Sequence, residues 1–401
     1  MPPLARAVRR GAVALLLVPA CLAAQAPASF TVRVSNALSI ARPDETVAIA
    51  WTAVTASLAG ALPGRVRVLD DATGGEVVSQ VVDNDGDGRT DELIFQASFS
   101  AGETKKFTVQ AAAPAAPPAV ARVYVAHMAE RDDMAWESDR IAFRMYGQGL
   151  WKVDSLNSSG IDVWVKRVRT PIVEKWYAKG HDLYHRDTGE GADFFDVGET
   201  LGLGGTAVWK DGKMYRATNF KTWRIIANGP VRAIFEMEYE PWNANGLVVR
   251  ETKRIAIDAG QNMNRVTSTF HTVSGTASGT GDVPFTTGIV KRKGVIGSTS
   301  RAQAWAWITH WGLMSPKDGG HDNLGIAVML PKERLDDWKE TDTHYLALSH
   351  ATSGEPVTYF IGAGWTGSGD FRDVTDWWTY LDAFAQRAGS PLVVTVVAGG
   401  R

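Results

Sequence analysis

Cysteine is nearly absent: Cys21 is the only one in 401 residues, and it lies in a segment that reads as removed from the mature chain. A chain without thiols has no disulfide framework, no Cys-ligated zinc and no cysteine nucleophile. A surplus of one charge is also missing. Lys and Arg number 42 against 44 Asp and Glu, for a formal net charge of −2. A nucleic-acid binder normally shows a basic face, so nucleic acid is set aside as the main partner. No stretch after the first segment is long and apolar enough to span a membrane. The chain has no P-loop, no dinucleotide fingerprint on a βαβ unit and no GxSxG elbow. No internal repeat of solenoid or propeller length is visible.

What remains is a globular composition, 45% hydrophobic and 21% charged, with tryptophan in unusual supply. Fifteen Trp stand beside 9 Tyr and 14 Phe. Such rings suit either flat surfaces on which sugars stack or a core of large aromatics. Residues 1–26 read as a signal peptide. Arg6, Arg9 and Arg10 precede the short apolar run Gly11–Ala20, and Ala24-Gln25-Ala26 offers a small-x-small cleavage site. An exported protein, periplasmic or extracellular, is expected. Cys21 follows Val18-Pro19-Ala20, a weak lipoprotein box, which keeps a lipid anchor open.

The Pro/Ala stretch 111–120 (AAAPAAPPAV) supports neither helix nor central strand and reads as a linker. Before it, residues 27–110 show short alternating runs such as Phe30–Val34, Thr46–Trp51 and Arg65–Leu69, the pattern of a small β-sandwich. Residues 121–401 are also β-rich, with strand-like runs from Arg140–Tyr146 to Leu392–Val397. They predict a large antiparallel sandwich, all-β in class. Helical patterns are few, with Lys332–Glu340 and Asp373–Ala388 the best.

Residues 83–92 (DNDGDGRTDE) space Asp83, Asp85, Asp87 and Asp91 as DxDxDGxxD, with Gly88 permitting the turn. That spacing can wrap oxygens around Ca²⁺. The twelfth position of an EF-hand frame is Ile94, which rejects a true EF-hand. A structural Ca²⁺ is expected here, and no cofactor for catalysis; an acidic β-turn without an ion is the alternative.

In Arg140–Tyr146, period-two alternation places Arg140, Arg144 and Tyr146 on one face. Two guanidiniums and a phenol can clamp a carboxylate and move a proton; pairing with nearby acids such as Asp132, Asp133, Glu137 or Asp139 is the commoner fate of such arginines. Asp162, Trp164 and Lys166 share a face that would suit a sugar platform. The glycine-rich stretch 176–205 gathers Trp176, Tyr177, His181, Tyr184, His185, Asp187, Glu190 and Asp193. It is too polar for a core and too long for an idle connection. Its histidines are candidate general bases and its tyrosines candidate acids. A metal site from His181, His185 and Asp187 is disfavoured, because the glycines oppose the helix that would align them. In Ala304–Trp311, Trp305, Trp307 and Trp311 share a face that reads as core, and His310 lies on the other.

Long strings carry a family resemblance. They are Arg42-Pro43 with Glu45, the loop 83–96, Glu130-Arg131-Asp132-Asp133-Met134-Ala135-Trp136-Glu137, Ile141-Ala142-Phe143-Arg144-Met145-Tyr146-Gly147, Trp176-Tyr177, Tyr184-His185-Arg186-Asp187 and Gly229-Pro230-Val231-Arg232. On these the chain resembles the domain of unknown function 4861 family over most of its mature length; Ser138 departs from the Asn expected there. The resemblance implies a large sandwich like those of galactose mutarotases and several polysaccharide lyases. It also implies an oligosaccharide dehydratase acting on terminal uronic acids, with ulvan oligomers as the substrate class.

Removing water from a uronate requires the carboxylate to be neutralised, C5–H abstracted and the leaving C4 hydroxyl protonated. The chemistry assigns Arg144, helped by Arg140 or Lys166, to the carboxylate. His185 is the base and Tyr184 or Tyr146 the acid. Trp164 and Trp176 stack on the sugar, with His181 and His310 as secondary candidates. A polysaccharide lyase using the same elimination, or a non-catalytic sugar-binding protein, are the alternatives. All of this requires the Arg144 guanidinium and the His185 imidazole to share one groove.

Overall fold

The computed structural model describes residues 29–112, 119–275, 282–314 and 322–397. The leader with Cys21 and the centre of the Pro/Ala linker lie outside the described residues. The architecture is all-β, with every named strand pairing antiparallel.

The first unit is a small sandwich. One sheet runs Val393–Val397, Ser29–Ser35, Thr104–Ala111, Val66–Asp70 and Glu76–Val77; the other runs Arg42–Ala50, Glu92–Phe99 and Ser79–Val82. Alternation supplies its core: Phe30, Val32, Val34, Phe107 and Val109 of the first sheet meet Val47, Ile49 and Phe95 of the second. The chain's last strand, assigned from sequence to the large sandwich, instead pairs with the first, Val32 opposite Val396. A short helix, Trp51–Ser57, begins where the sequence suggested a strand would end.

The large unit is built on a nine-stranded sheet ordered Thr222–Asn228, Arg232–Glu238, Leu247–Asp258, Met263–Ser274, Pro356–Trp365, Asn323–Pro331, Trp305–Leu313 and Ile296–Ser300, with Trp242–Ala244 beside Leu247–Asp258. Its inner face shares one apolar core with two five-stranded sheets. One of these is Gly191–Asp193, Asp162–Lys166, Ile141–Tyr146, Asp133–Ser138 and Val123–Met128; we call it the site sheet.

The outer face of the nine-stranded sheet is covered twice. Val82 and Ile94 of the small sandwich pack on Val231, Ile234 and Ala256. The Gln80 side chain fixes the approach, donating to Arg232 O at 2.9 Å and accepting from the Val231 and Arg232 N–H groups. The helix Val374–Gly389 covers a second part of it. Asp373 caps it by accepting from the N–H of Thr375 and Asp376. Its buried Trp377, Leu381 and Ala385 recur every four residues and meet Trp307, Trp311 and Met329. The tryptophan row of Ala304–Trp311 is therefore core. Gly364 lets the helix come close, since a Cβ there would sit 2.6 Å from Phe371 and 2.7 Å from Trp377. The second helix expected, Lys332–Glu340, is a single 3₁₀ turn, Lys332–Arg334, followed by the edge strand Asp337–Glu340. The paired edge strand prevails over the local charge pattern there.

Candidate active site

Register gathers the polar groups of the site sheet on its outer face. Arg144 lies opposite Asp162, Tyr146 opposite Asp133, and Trp164 opposite Asp193. Directly opposed residues share a face. Asp133, Glu137, Arg144, Tyr146, Asp162, Trp164, Lys166 and Asp193 thus form one surface. That surface is closed by the segment after the Asp162–Lys166 strand. Expected from its glycines to be a loop, the segment folds into two short helices, Val173–Lys179 and His181–Tyr184, that lay Trp176, Tyr177 and Tyr184 over Trp164. Glu137 anchors it by accepting from the N–H of Ile172 (2.7 Å) and Val173 (2.9 Å).

Arg144 is the centre of the arrangement. Its Nε and Nη2 donate to Asp162 Oδ2 at 3.0 and 2.5 Å, Nη2 also donates to Asp193 Oδ2 at 2.7 Å, and Nη1 donates to the Tyr184 hydroxyl at 2.9 Å. Tyr146 donates its hydroxyl to Asp162 Oδ2 at 3.0 Å. Tyr177 donates to Asp133 Oδ2 at 2.8 Å, while Asp133 Oδ1 is buried without a hydrogen-bond partner among the described residues. Three carboxylates thus surround one guanidinium. Burial, then the charge of Asp162, raises Asp193 well above the usual carboxylate range. Burial pushes Asp133 up to about 6. Burial acts on Arg144 the other way, but Tyr146, Asp162 and Asp193 outweigh it and keep the guanidinium charged.

This assembly forms one wall of a cleft of about 710 Å³, lined also by Arg131, Asp154, His181, His185, Arg186 and Phe194. The half-buried His185 ring sets Nδ1 2.9 Å from the main-chain oxygen of Asp193. The carbonyl can only accept, so Nδ1 is the donor there, and Nε2 has no hydrogen-bond partner among the described residues. His181 touches His185 with ring centroids 4.9 Å apart. Burial, then the charge of Arg131, lowers its pKa. The groove required of Arg144 and His185 exists: both line it, with Tyr146 and His181, and Tyr184 stands behind.

Several roles read from the sequence are corrected by the geometry. Arg144 is not free to clamp a substrate carboxylate, because Asp162 and Asp193 occupy its fork. Lys166 is fully buried, its Nζ 2.5 Å from Glu137 Oε2 and 2.8 Å from Ser138 O. Arg140 points away to Asp370 at 2.8 Å and Asp44 at 3.7 Å. Trp164 and Trp176 are core rather than platform, 0% and 1% exposed, because the covering helices bury both. His310 sits in the sandwich interior, Nε2 3.0 Å from Val290 O, and burial pushes it down to about 3. Asp187 pairs with Arg167 at 2.8 Å and does not join His181 and His185 in a metal cluster.

Arg131, Asp154, Arg186 and Asp193 join the site without a role expected from the sequence. Arg131 reaches Asp154 at 3.1 Å; Arg186 is exposed and forms no ion pair with a described residue. The arginine in Tyr184-His185-Arg186-Asp187 was the available signal. Asp193 gave none, because only strand register brings it to Arg144.

In the small sandwich, carboxylate oxygens of Asp83, Asp85 and Asp91 lie within 4.8 Å of one another; Asp87 stands outside that group. Asp83 accepts from the N–H of Gly86 and Gly88, and Asp87 from that of Arg89. Arg224 donates to Asp85 O at 3.2 Å, and Arg254 reaches Asn84 O, so the loop is tied to the nine-stranded sheet.

Comparison with known proteins gives a family match over residues 34–394, to the model described as domain of unknown function (DUF4861). "Uncharacterized protein P7" of Formosa agariphila is 30% identical over 383 residues, covering 91% of this chain and 93% of that protein. Among solved structures, a protein in glycosyl hydrolase family 38 from Enterococcus faecalis aligns with a TM-score of 0.53 at 12% identity. An alpha-mannosidase from Enterococcus faecalis V583 aligns at 0.51 and 11%. Each alignment takes in 92% of this chain but 47% and 46% of theirs. The chain spans about half the length of these structures, and the likeness is one of fold.

Proposed function

The chain belongs to the DUF4861 family, and from the chemistry of its cleft we propose that it is a carbohydrate-active carbon–oxygen lyase, a dehydratase that removes water from the terminal uronic acid of an oligosaccharide such as an ulvan oligomer. The observation carrying this reading is the meeting, in one cleft, of a candidate base, His185, whose Nδ1 is held by the Asp193 main-chain oxygen, and a candidate acid, the Asp193 carboxyl, whose pKa is raised by burial and by Asp162. An elimination needs one group of each kind.

In the proposed reaction His185 Nε2 takes the C5 proton. The C–H electron pair forms the C4=C5 double bond, and the C4–O bond breaks. Asp193 gives its proton to the departing hydroxyl, which leaves as water. Arg186 and Arg131, both on the cleft wall, bind the uronate carboxylate and offset the charge developing beside it. Arg144 is a positioning residue that holds Asp162, Asp193 and Tyr184. Tyr146 has its proton committed to Asp162, which favours Asp193 over it as acid. Tyr184 accepts from Arg144 and stays an auxiliary donor. Export through the 1–26 leader is part of the same proposal, since polymeric sugars are met outside the cell.

Mass spectrometry of uronic-acid oligomers incubated with the protein tests it. The expected product has lost one water at unchanged chain length, and His185→Ala abolishes it. Shortened chains would instead identify a polysaccharide lyase. Binding without any new product would leave a sugar-binding protein.

A further inference from the structure

We propose that the turn carrying Trp151 is a second sugar-ring subsite, so that the cleft takes an oligosaccharide at least two rings long; this rests on the carbohydrate reading above. Beside the cleft lies a groove of about 570 Å³ lined by Trp151, Lys152, Val153, Asp154, Ser155 and Asn157. Asp154 lines both cavities, so the groove adjoins the cleft.

Trp151 is placed as a platform would be. It is 44% exposed, in a chain whose other tryptophans are mostly buried. Trp223, at 40%, already has His127 stacked on it with centroids 4.3 Å apart. No aromatic ring among the described residues stacks on Trp151. Its indole N–H donates to Leu156 O at 3.0 Å, and Leu156 lines the cleft. The ring is therefore held in place before any ligand arrives, which reduces the entropy lost on binding.

The turn beneath it is braced. Asp132, in left-handed backbone at φ 54°, accepts from the Gly149 N–H through Oδ2 at 2.6 Å and contacts His127 Nε2 through Oδ1 at 2.7 Å. Its main-chain oxygen accepts from the Gly147 N–H at 2.7 Å. A Cβ at Gly147 or Gly149 would fall within 3 Å of Asp132, so only glycine allows this brace.

The chemistry favours a pyranose. Its C–H face packs on an indole while its rim hydroxyls seek polar partners. Asn157 also lines the groove, and its side-chain oxygen is buried without a hydrogen-bond partner among the described residues. Lys152, exposed and without an ion pair to a described residue, suits an acidic substituent on the same ring.

Calorimetric binding of glucuronic acid and of a uronic-acid tetrasaccharide tests this in a His185→Ala background, where the ligand is not consumed. Trp151→Ala should weaken tetrasaccharide binding roughly tenfold and leave the monosaccharide unchanged, with Trp151→Phe close to the parent. Equal tetrasaccharide affinity with and without the indole overturns the subsite alone. Failure of the parent to bind either sugar overturns the subsite and the carbohydrate reading together. Length-dependent binding lost in Trp151→Ala supports the subsite even if the wild type forms no unsaturated product, which would refute only the elimination.

Discussion

Asp133→Asn should flatten the pH dependence of folding stability between about pH 4 and pH 6. The Asp133 carboxyl is buried beside Tyr177, 3.9 Å from both Arg144 and Arg131, with one oxygen unpartnered. Burial lifts it from 3.8 to about 6. A carboxyl raised in the folded state binds a proton there that the unfolded chain has released. Its contribution to stability is therefore full below about pH 4 and is lost as pH rises towards 6. At about 1.36 kcal/mol per pH unit, that loss amounts to about 3 kcal/mol. Asn cannot titrate, so the variant lacks this loss whatever constant offset the substitution introduces. Urea unfolding followed by tryptophan fluorescence at pH 4 and pH 7 measures it. The difference between the two pH values should be about 3 kcal/mol smaller in Asp133→Asn than in the wild type. Equal slopes in both proteins would show that the buried carboxyl is ionised throughout, and the proton-holding picture of this acid cluster would fail.

Lys166→Met should destabilise the protein by about 3–5 kcal/mol, because Glu137 is left charged and buried. Adding Glu137→Gln should recover much of the loss in chemical denaturation while still accepting the Ile172 and Val173 N–H groups. Gly364→Ala should cost about 1–3 kcal/mol by driving a methyl into Phe371 and Trp377; a melting temperature equal to wild type would show that the helix can lift without penalty. Calcium at a hundredfold excess over its dissociation constant should stabilise the full chain by about 2.7 kcal/mol. Asp83→Asn should remove that effect, and identical melting in calcium and in chelator would leave the acidic loop as a turn.

The polar face of Arg140–Tyr146 was legible because alternation alone decides which side chains share a side. Arg144 and Tyr146 lie together as expected, and so do Asp162, Trp164 and Lys166. Which strands would be neighbours was not legible. Register sets Asp162 and Asp193 against Arg144, and it converts an expected substrate clamp into a closed ion cluster. Trp164 shows a second limit. Its neighbours in sequence suggested an open platform, but the covering helices, drawn from a glycine-rich stretch, roof it with Trp176 and Tyr184. Burial of that kind depends on packing between distant segments and leaves no local periodicity. The capped helix at Asp373 was readable because its start signal and its apolar stripe are both local.

The antiparallel ladder between Ser29–Ser35 and Val393–Val397 gives the molecule a clasp. The opening sheet keeps a bare edge until the far end of the chain is synthesised, and an unpaired edge invites sticking to other chains. A fragment cut at the Pro/Ala linker would lack its closing strand, so the small sandwich should be prepared only within the whole polypeptide. The same clasp draws the two described ends of the chain side by side, so bulky tags at both would crowd one rim.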